Sequence, residues 1–193
     1  MNSFCGFDII DSNNVRKNAV ICMMPVKKKW GIFLEEIVVG IGDIKCGRGE
    51  QSIATYALGS CVGVCLYDEQ TGVGGVLHAL LPFSKNSVGM MEHARYVDTG
   101  IKRLFQEICH RGAMPCGLKA KVVGGAKMFD FKSGTAQEDI GTANVRQVHK
   151  QLQEMGIPIV GEVTGGEVGR TIHFTPGTGS IRILATDKTE KII

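Results

Sequence analysis

A cysteine and a histidine stand out in a stretch whose other residues are mostly small or apolar. The stretch is YALGSCVGVCLYDEQTGVGGVLHALLP, residues 56–82, and the two residues are Cys61 and His78. A free thiol with a pKa of about 8.5 is only a few per cent thiolate at pH 7, so it is a weak nucleophile by itself. A neighbouring imidazole can take its proton and hold a thiolate–imidazolium pair, which would make Cys61 reactive near pH 6. Such a pair suits thioester chemistry on an amide, with the histidinium protonating the departing amine.

Two predicted strands must bring the thiol and the ring together. They are VGVCLYD, residues 62–68, and VGGVLHALLP, residues 73–82, with EQTG as the turn between them. If the turn is centred just after Glu69, Cys61 lies opposite His78 and the apolar residues share the other face. The Cβ atoms of directly opposite residues are ~4.5–5.5 Å apart, which is close enough for a thiol and an imidazole to meet.

Small residues precede the cysteine. Gly59 and Ser60 would let a substrate and backbone N–H donors approach a developing oxyanion, although the signal is weak. A bend at this point would instead move Cys61 off the strand while leaving it near His78. The alternative without chemistry stays open, because free cysteine is among the most buried residue types and a lone strand histidine is commonly a core residue.

The rest of the chain supplies two amphipathic helices and further strands. The helices are expected in YVDTGIKRLFQEICHRG and IGTANVRQVHKQLQEMG, with Asp98 as an N-cap and Gly112 and Gly156 as ends. Strands are expected in IVVGIGD, SIATYALGS, LKAKVVGG, PIVGEVTGG, RTIHFTP and GSIRILAT, and KCGRGEQ is predicted as a loop. This pattern predicts an α/β (α+β) class with helices layered on a mixed sheet.

Length and composition limit the remaining possibilities. The 193 residues suit one domain at 35–193, preceded by an N-terminal extension, residues 1–34, that has no clear period. The net charge of +3 is too small to argue for nucleic acid, and no apolar run is long enough to insert in a membrane. Seven cysteines without a CxxC pair favour reduced thiols in a cytoplasm and disfavour a metal site. No cofactor is expected.

Six blocks of the sequence resemble a known family. TYALGSCVGVCLYD, GGVLHALLP, YVDTGI, KVVGGAKMF, IGTANV and TGGEVGR have the order and spacing of CheD, a family of bacterial chemoreceptor glutamine deamidases. The resemblance runs from about residue 37 to about residue 183. It implies that Cys61 is a nucleophile, that His78 is a general base and then an acid, and that Thr55 orients the ring. Thr55 would otherwise read as an ordinary strand residue.

The resemblance also implies a fold, a substrate and a partner. The fold would be a single-domain layered sandwich related to deamidating bacterial toxins. The substrates would be glutamine side chains on the cytoplasmic helices of methyl-accepting chemotaxis receptors, converted to glutamate during adaptation. A CheC-like phosphatase of the response regulator would be a binding partner.

Two other functions stay open. One is a regulatory partner of a CheC-like phosphatase with weak catalysis. The other is a thiol redox sensor using Cys61 and Cys65, which is disfavoured because strand residues four apart are ~13 Å apart, beyond disulfide reach.

Overall fold

The computed structural model describes residues 36–84, 94–128 and 139–193. The predicted extension, residues 1–34, lies outside the described residues. The strands in chain order are β1 (Ile37–Val39), β2 (Asp43–Arg48), β3 (Ile53–Leu58), β4 (Val62–Asp68), β5 (Val73–Ala79), β6 (Lys119–Gly124), β7 (Ile159–Thr164), β8 (Arg170–Thr175), β9 (Ser180–Ala185) and β10 (Glu190–Ile192). The helices are α1 (Val97–His110) and α2 (Ile140–Glu154). Neither helix is long and apolar enough to cross a membrane, and the described residues contain no other α-helix.

The strands form two five-stranded mixed sheets that pack face to face. The first sheet has the order β1-β3-β8-β9-β10 and the second has the order β2-β5-β4-β6-β7. One apolar cluster lies between the sheets, and a second lies between the second sheet and the two helices. The second sheet is therefore the central layer, which is why every residue of β4 and β5 is buried. This three-layer arrangement confirms the predicted α+β class.

Both predicted helices are present, but the N-cap of α1 differs from the predicted one. The apolar stripes of both face the second sheet, through Ile101, Leu104, Ile108, Val148 and Leu152. Gly112 and Gly156 follow the last turns with φ of +100° and +68°, a conformation that favours glycine, and so end the helices as predicted. Asp98 is not the N-cap, which is Tyr96. The Asp98 carboxylate instead accepts hydrogen bonds from Ser84, which ties the helix start to the chain that leaves β5.

The prediction of a loop for KCGRGEQ is wrong, because most of this segment belongs to β2. This strand pairs antiparallel with β5 from Asp43↔His78 to Arg48↔Val73. Lys45 and Arg48 interrupt the apolar pattern by which strands were predicted. Such charged side chains are typical of an edge strand, because one side of its backbone faces solvent. The short strand β10 at an edge of the first sheet was also not predicted.

The hairpin of β4 and β5 has a register two residues away from the predicted one. Gly63, not Cys61, lies opposite His78. The turn is responsible: the Asp68 carboxylate accepts the Gln70 N–H at 3.0 Å, and Gly72, with φ of +69°, donates its N–H to the Asp68 carbonyl at 2.9 Å. Because strand side chains alternate with a period of two, the shift leaves each side chain on its predicted face.

Candidate active site

A hydrogen bond joins the two sheets in the middle of their shared core. Thr55 lies on β3 of the first sheet and His78 on β5 of the second, and both are fully buried. Thr55 Oγ1 lies 2.7 Å from His78 Nδ1 and 2.8 Å from the Val39 carbonyl oxygen. The structure therefore brings together the threonine and the histidine that the resemblance singled out.

The partners of Thr55 determine which nitrogen of the ring carries the proton. A carbonyl oxygen can only accept, so the single hydroxyl proton of Thr55 is donated to Val39. The hydroxyl oxygen must then accept the N–H of His78 Nδ1. In the neutral ring Nε2 is left with a free lone pair, and this atom has no hydrogen-bond partner within the described residues. The arrangement is that of a base whose proton-accepting atom is available.

Cys61 lies where the chain crosses from the first sheet to the second. It occupies the bend between β3 and β4, one residue before β4 begins. This bend is the alternative to a position on the strand that was considered from the sequence. Its side chain belongs to the apolar cluster between the sheets, which is also where the His78 ring meets Thr55, and only 7% of it is exposed. The thiol does not hydrogen bond to His78 Nε2 in this structure.

Burial keeps both groups neutral. It lowers the pKa of His78 to about 4 and raises the pKa of the Cys61 thiol, although the backbone N–H of Cys61 acts in the opposite direction. Loss of water penalises a charged group, which is why the two pKa values move apart. The thiolate–imidazolium pair expected from the sequence is therefore not favoured in the free protein. Burial also raises the pKa of Cys65, which is fully buried on β4.

Backbone hydrogen bonds from the segment after β6 hold the bend in place. The carbonyl of Gly59 accepts the Ala126 N–H at 2.8 Å, and the carbonyl of Cys61 accepts the Gly125 N–H at 2.7 Å. Gly124 approaches so closely, with φ of +115°, that a Cβ there would collide with the Cys61 carbonyl oxygen. Gly124 of the block KVVGGAKMF thus allows close contact with the cysteine bend, and Gly125 allows close contact with α2.

A side chain of α2 holds the remaining carbonyl of the bend. Asn144 is fully buried, and its Nδ2 donates to the Ser60 carbonyl at 2.9 Å and to the Leu80 carbonyl at 3.1 Å. Residue-by-residue reading of the sequence did not select Asn144. The only available signal was a polar residue at a position of α2 that faces the core.

The two small residues before the cysteine have different surroundings. The Gly59 N–H donates to the Ala57 carbonyl at 3.0 Å, and a Cβ at Gly59 would press against Met128 Cγ at 3.0 Å. Ala57 has a positive φ of 58° at the bulge where β3 ends, which is a strained conformation for a residue with a Cβ. The backbone N–H groups of Ser60 and Cys61 have no backbone acceptor among the described residues.

Comparisons with known proteins identify one family and several relatives to which this chain is similar. A family model described as CheD chemotactic sensory transduction matches residues 80–185. A protein of Pyrococcus horikoshii named probable chemoreceptor glutamine deamidase CheD is 45% identical over 150 residues, which cover 78% of this chain and 92% of that protein. The chemoreceptor glutamine deamidase CheD of Bacillus subtilis is 40% identical over 158 residues, which cover 81% of this chain and 95% of that protein.

Proposed function

The chain belongs to the CheD family, and from this membership and the geometry around Cys61 we propose that it is a cytoplasmic enzyme that deamidates glutamine side chains of chemoreceptors. The names of its relatives suggest glutamines of chemoreceptors as substrates. From the family resemblance we expect these glutamines on the cytoplasmic helices of methyl-accepting receptors. The observation that supports this most strongly is the Thr55–His78 hydrogen bond, which leaves Nε2 of a buried neutral imidazole free to accept a proton. If His78 had only a packing role in the core, we would expect both of its ring nitrogens to be hydrogen bonded.

The first half of the reaction forms a thioester. As the Cys61 sulfur attacks the carbonyl carbon of the glutamine side chain, its proton moves to His78 Nε2. The imidazolium is stabilised at Nδ1 by Thr55, and it then protonates the amide nitrogen, which leaves as ammonia. Because the resting groups are neutral, the positive charge on the ring appears only as the carbon–sulfur bond forms and negative charge develops on the carbonyl oxygen.

The second half of the reaction regenerates the thiol. With ammonia gone, the neutral His78 Nε2 takes a proton from a water that attacks the thioester carbonyl. The carbon–sulfur bond breaks, the sulfur of Cys61 regains a proton from the ring, and a glutamate side chain is released. The net change is the addition of one water and the loss of one ammonia.

Backbone N–H groups of the bend would hold the negative charge on the carbonyl oxygen during both halves. The Gly59 N–H is already bonded to Ala57, so the donors would be the N–H groups of Ser60 and Cys61. Gly59 would contribute through its lack of a side chain, which lets the bend pack closely against Met128. Such preorganised donors commonly account for ~10²–10³-fold in turnover each.

The direct experiment is incubation of the purified protein with cytoplasmic fragments of candidate receptors. Mass spectrometry of the fragments should show glutamine converted to glutamate at particular positions. Cys61→Ala should remove the conversion, while Cys65→Ala, the matched change four residues later on β4, should retain most of it. Equal loss in both folded variants would contradict the assignment of Cys61.

Regulation by a CheC-like phosphatase is a second proposal, and it rests on the family resemblance alone. If binding and catalysis are separate properties, Cys61→Ala should bind such a phosphatase as tightly as the unmodified protein does. Isothermal titration with a CheC-like protein measures this. Absence of binding in the unmodified protein would remove the partner while leaving the deamidase proposal unchanged.

A further inference from the structure

One buried side chain connects the segments that carry the thiol and the imidazole. Asn144 Nδ2 donates to the carbonyl of Ser60, the residue before Cys61, and to the carbonyl of Leu80, two residues after His78. Both partners are carbonyls, which only accept, so the amide nitrogen must face them and the orientation of the side chain is determined. A single amide on α2 therefore fixes the nucleophile bend relative to the end of β5.

The bond to Ser60 also determines where the next N–H points. The Ser60 carbonyl and the Cys61 N–H belong to one planar trans peptide and point in opposite directions. With the carbonyl held by Asn144, the Cys61 N–H is directed away from α2. The Ala126 N–H holds the Gly59 carbonyl in the same way, which directs the Ser60 N–H. Successive N–H groups presented together make a concavity that binds an anion.

Both hydrogen bonds that Asn144 makes within the described residues come from its Nδ2. Asn144 Oδ1 is buried and has no hydrogen-bond partner within the described part of the chain. A buried acceptor without a partner is destabilising, and most buried polar atoms have one. The contacts that hold the Asn144 side chain are therefore those of Nδ2 to the two carbonyls next to the site.

We propose that Asn144 is a positioning residue of the deamidation reaction. It orients the Ser60–Cys61 peptide so that the N–H groups of the bend face the oxygen of the reacting carbonyl, and it holds the thiol at a constant distance from the His78 ring. Asn144 does not touch the substrate. This inference rests on the proposed function, because the oxyanion belongs to that reaction.

Two variants test this role against a matched control. Asn144→Asp keeps the size of the side chain but at neutral pH places oxygen against both carbonyls, and Asn144→Ala removes the group. Gln147→Ala is the control, since Gln147 is also a buried amide on α2 and makes no hydrogen bond to residues 59–61 in the described structure. Thermal unfolding of each protein is measured alongside, so that kinetics are compared only at temperatures where all are folded.

The expected result is a separation of kcat from KM. Both Asn144 variants should lose ~10²-fold in kcat on a receptor fragment, the size of effect seen when an oxyanion donor is lost or misplaced. Their KM should stay within about threefold of the unmodified value, because the substrate contacts are unchanged. A protonated aspartic acid can donate one hydrogen bond, so the deficit of Asn144→Asp should be smaller at pH 6 than at pH 8.

A second measurement reports the position of the bend without any substrate. The N–H groups of Gly125 and Ala126 are bonded to the bend, and their hydrogen exchange should accelerate at least ~10-fold in both Asn144 variants but not in Gln147→Ala. Unchanged exchange, or kcat within twofold of the unmodified protein, would overturn the inference while the deamidase function stands. An unmodified protein that deamidates no receptor fragment would instead overturn the proposed function, and with it the catalytic role of Asn144.

Discussion

The buried imidazole makes the stability of this protein depend on pH in a specific way. In the folded state the pKa of His78 is about 4, whereas the ordinary value is 6.5. Because the folded value lies below the unfolded one, the unfolded chain takes up this proton first as the pH falls. The contribution of His78 to stability is therefore complete above about pH 6.5 and is lost progressively as the pH falls towards 4.

The magnitude follows from the difference between the two pKa values. At about 1.4 kcal/mol per pH unit, proton uptake by the unfolded chain should lower the free energy of unfolding by about 2–3 kcal/mol between pH 7.5 and pH 4.5. The ring is fully buried, so solvent does not screen this effect. Since a domain typically has only ~5–15 kcal/mol of stability, a loss of this size is readily measured.

Urea unfolding at a series of pH values tests the prediction. Carboxyl groups of the unfolded chain also begin to bind protons near pH 4.5, so the informative quantity is the difference between the unmodified protein and His78→Gln, which lacks the titrating ring. The unmodified protein should lose about 2–3 kcal/mol more than the variant between pH 7.5 and pH 4.5. The same replacement at exposed His110 controls for the loss of an imidazole from the unfolded chain.

Equal losses in the unmodified protein and in His78→Gln would refute the reasoning, because they would show that the ring is not held neutral by burial. If His78→Gln does not fold, an NMR titration of the ring in the unmodified protein gives the same answer. A midpoint near 6.5 would contradict a neutral resting base, and a midpoint near 4 would support it.

Three further predictions concern the reaction. Thr55→Val should lower kcat ~10–10²-fold by removing the acceptor of the Nδ1–H, whereas Thr55→Ser should retain most activity. Iodoacetamide at pH 6 should label Cys61 no faster than exposed Cys116, measured by residue-resolved mass spectrometry, because the resting thiol is neutral; faster labelling of Cys61 would indicate a preformed ion pair. Gly124→Ala should destabilise the protein by more than about 1 kcal/mol in urea unfolding and lower activity, since its Cβ would displace the Cys61 carbonyl; an unchanged midpoint would contradict this close contact.

Periodicity in the sequence was sufficient to predict most of the fold. The stripes of α1 and α2, the paired runs of β4 and β5 and the glycines after both helices are local patterns, and a local pattern does not depend on what the element packs against. The strand β2 was missed for the complementary reason. It is an edge strand with charged side chains, and only its pairing with β5 makes it a strand.

The sequence allowed two of the candidate site residues to be proposed from their chemistry, but it predicted their relative positions only in part. Cys61 and His78 could be proposed from their chemistry and from the hairpin, yet the register was wrong by two residues because the Asp68 carboxylate and Gly72 set the turn. Thr55 entered only through the resemblance to a family. Its contact with His78 joins two sheets. The spacing of residues within one strand does not predict which side chain of another sheet will lie against it.

What the sequence determined by itself is therefore the set of elements and the residue types available for chemistry. The tertiary structure decided three things that depend on distant neighbours: the tautomer of His78, set by Thr55 and Val39; the neutral state of ring and thiol, set by burial; and the direction of the Cys61 N–H, set by Asn144 on a helix more than eighty residues away in the chain. Hydrogen bonding and desolvation act over a few ångströms in space, so separation along the chain carries no information about them.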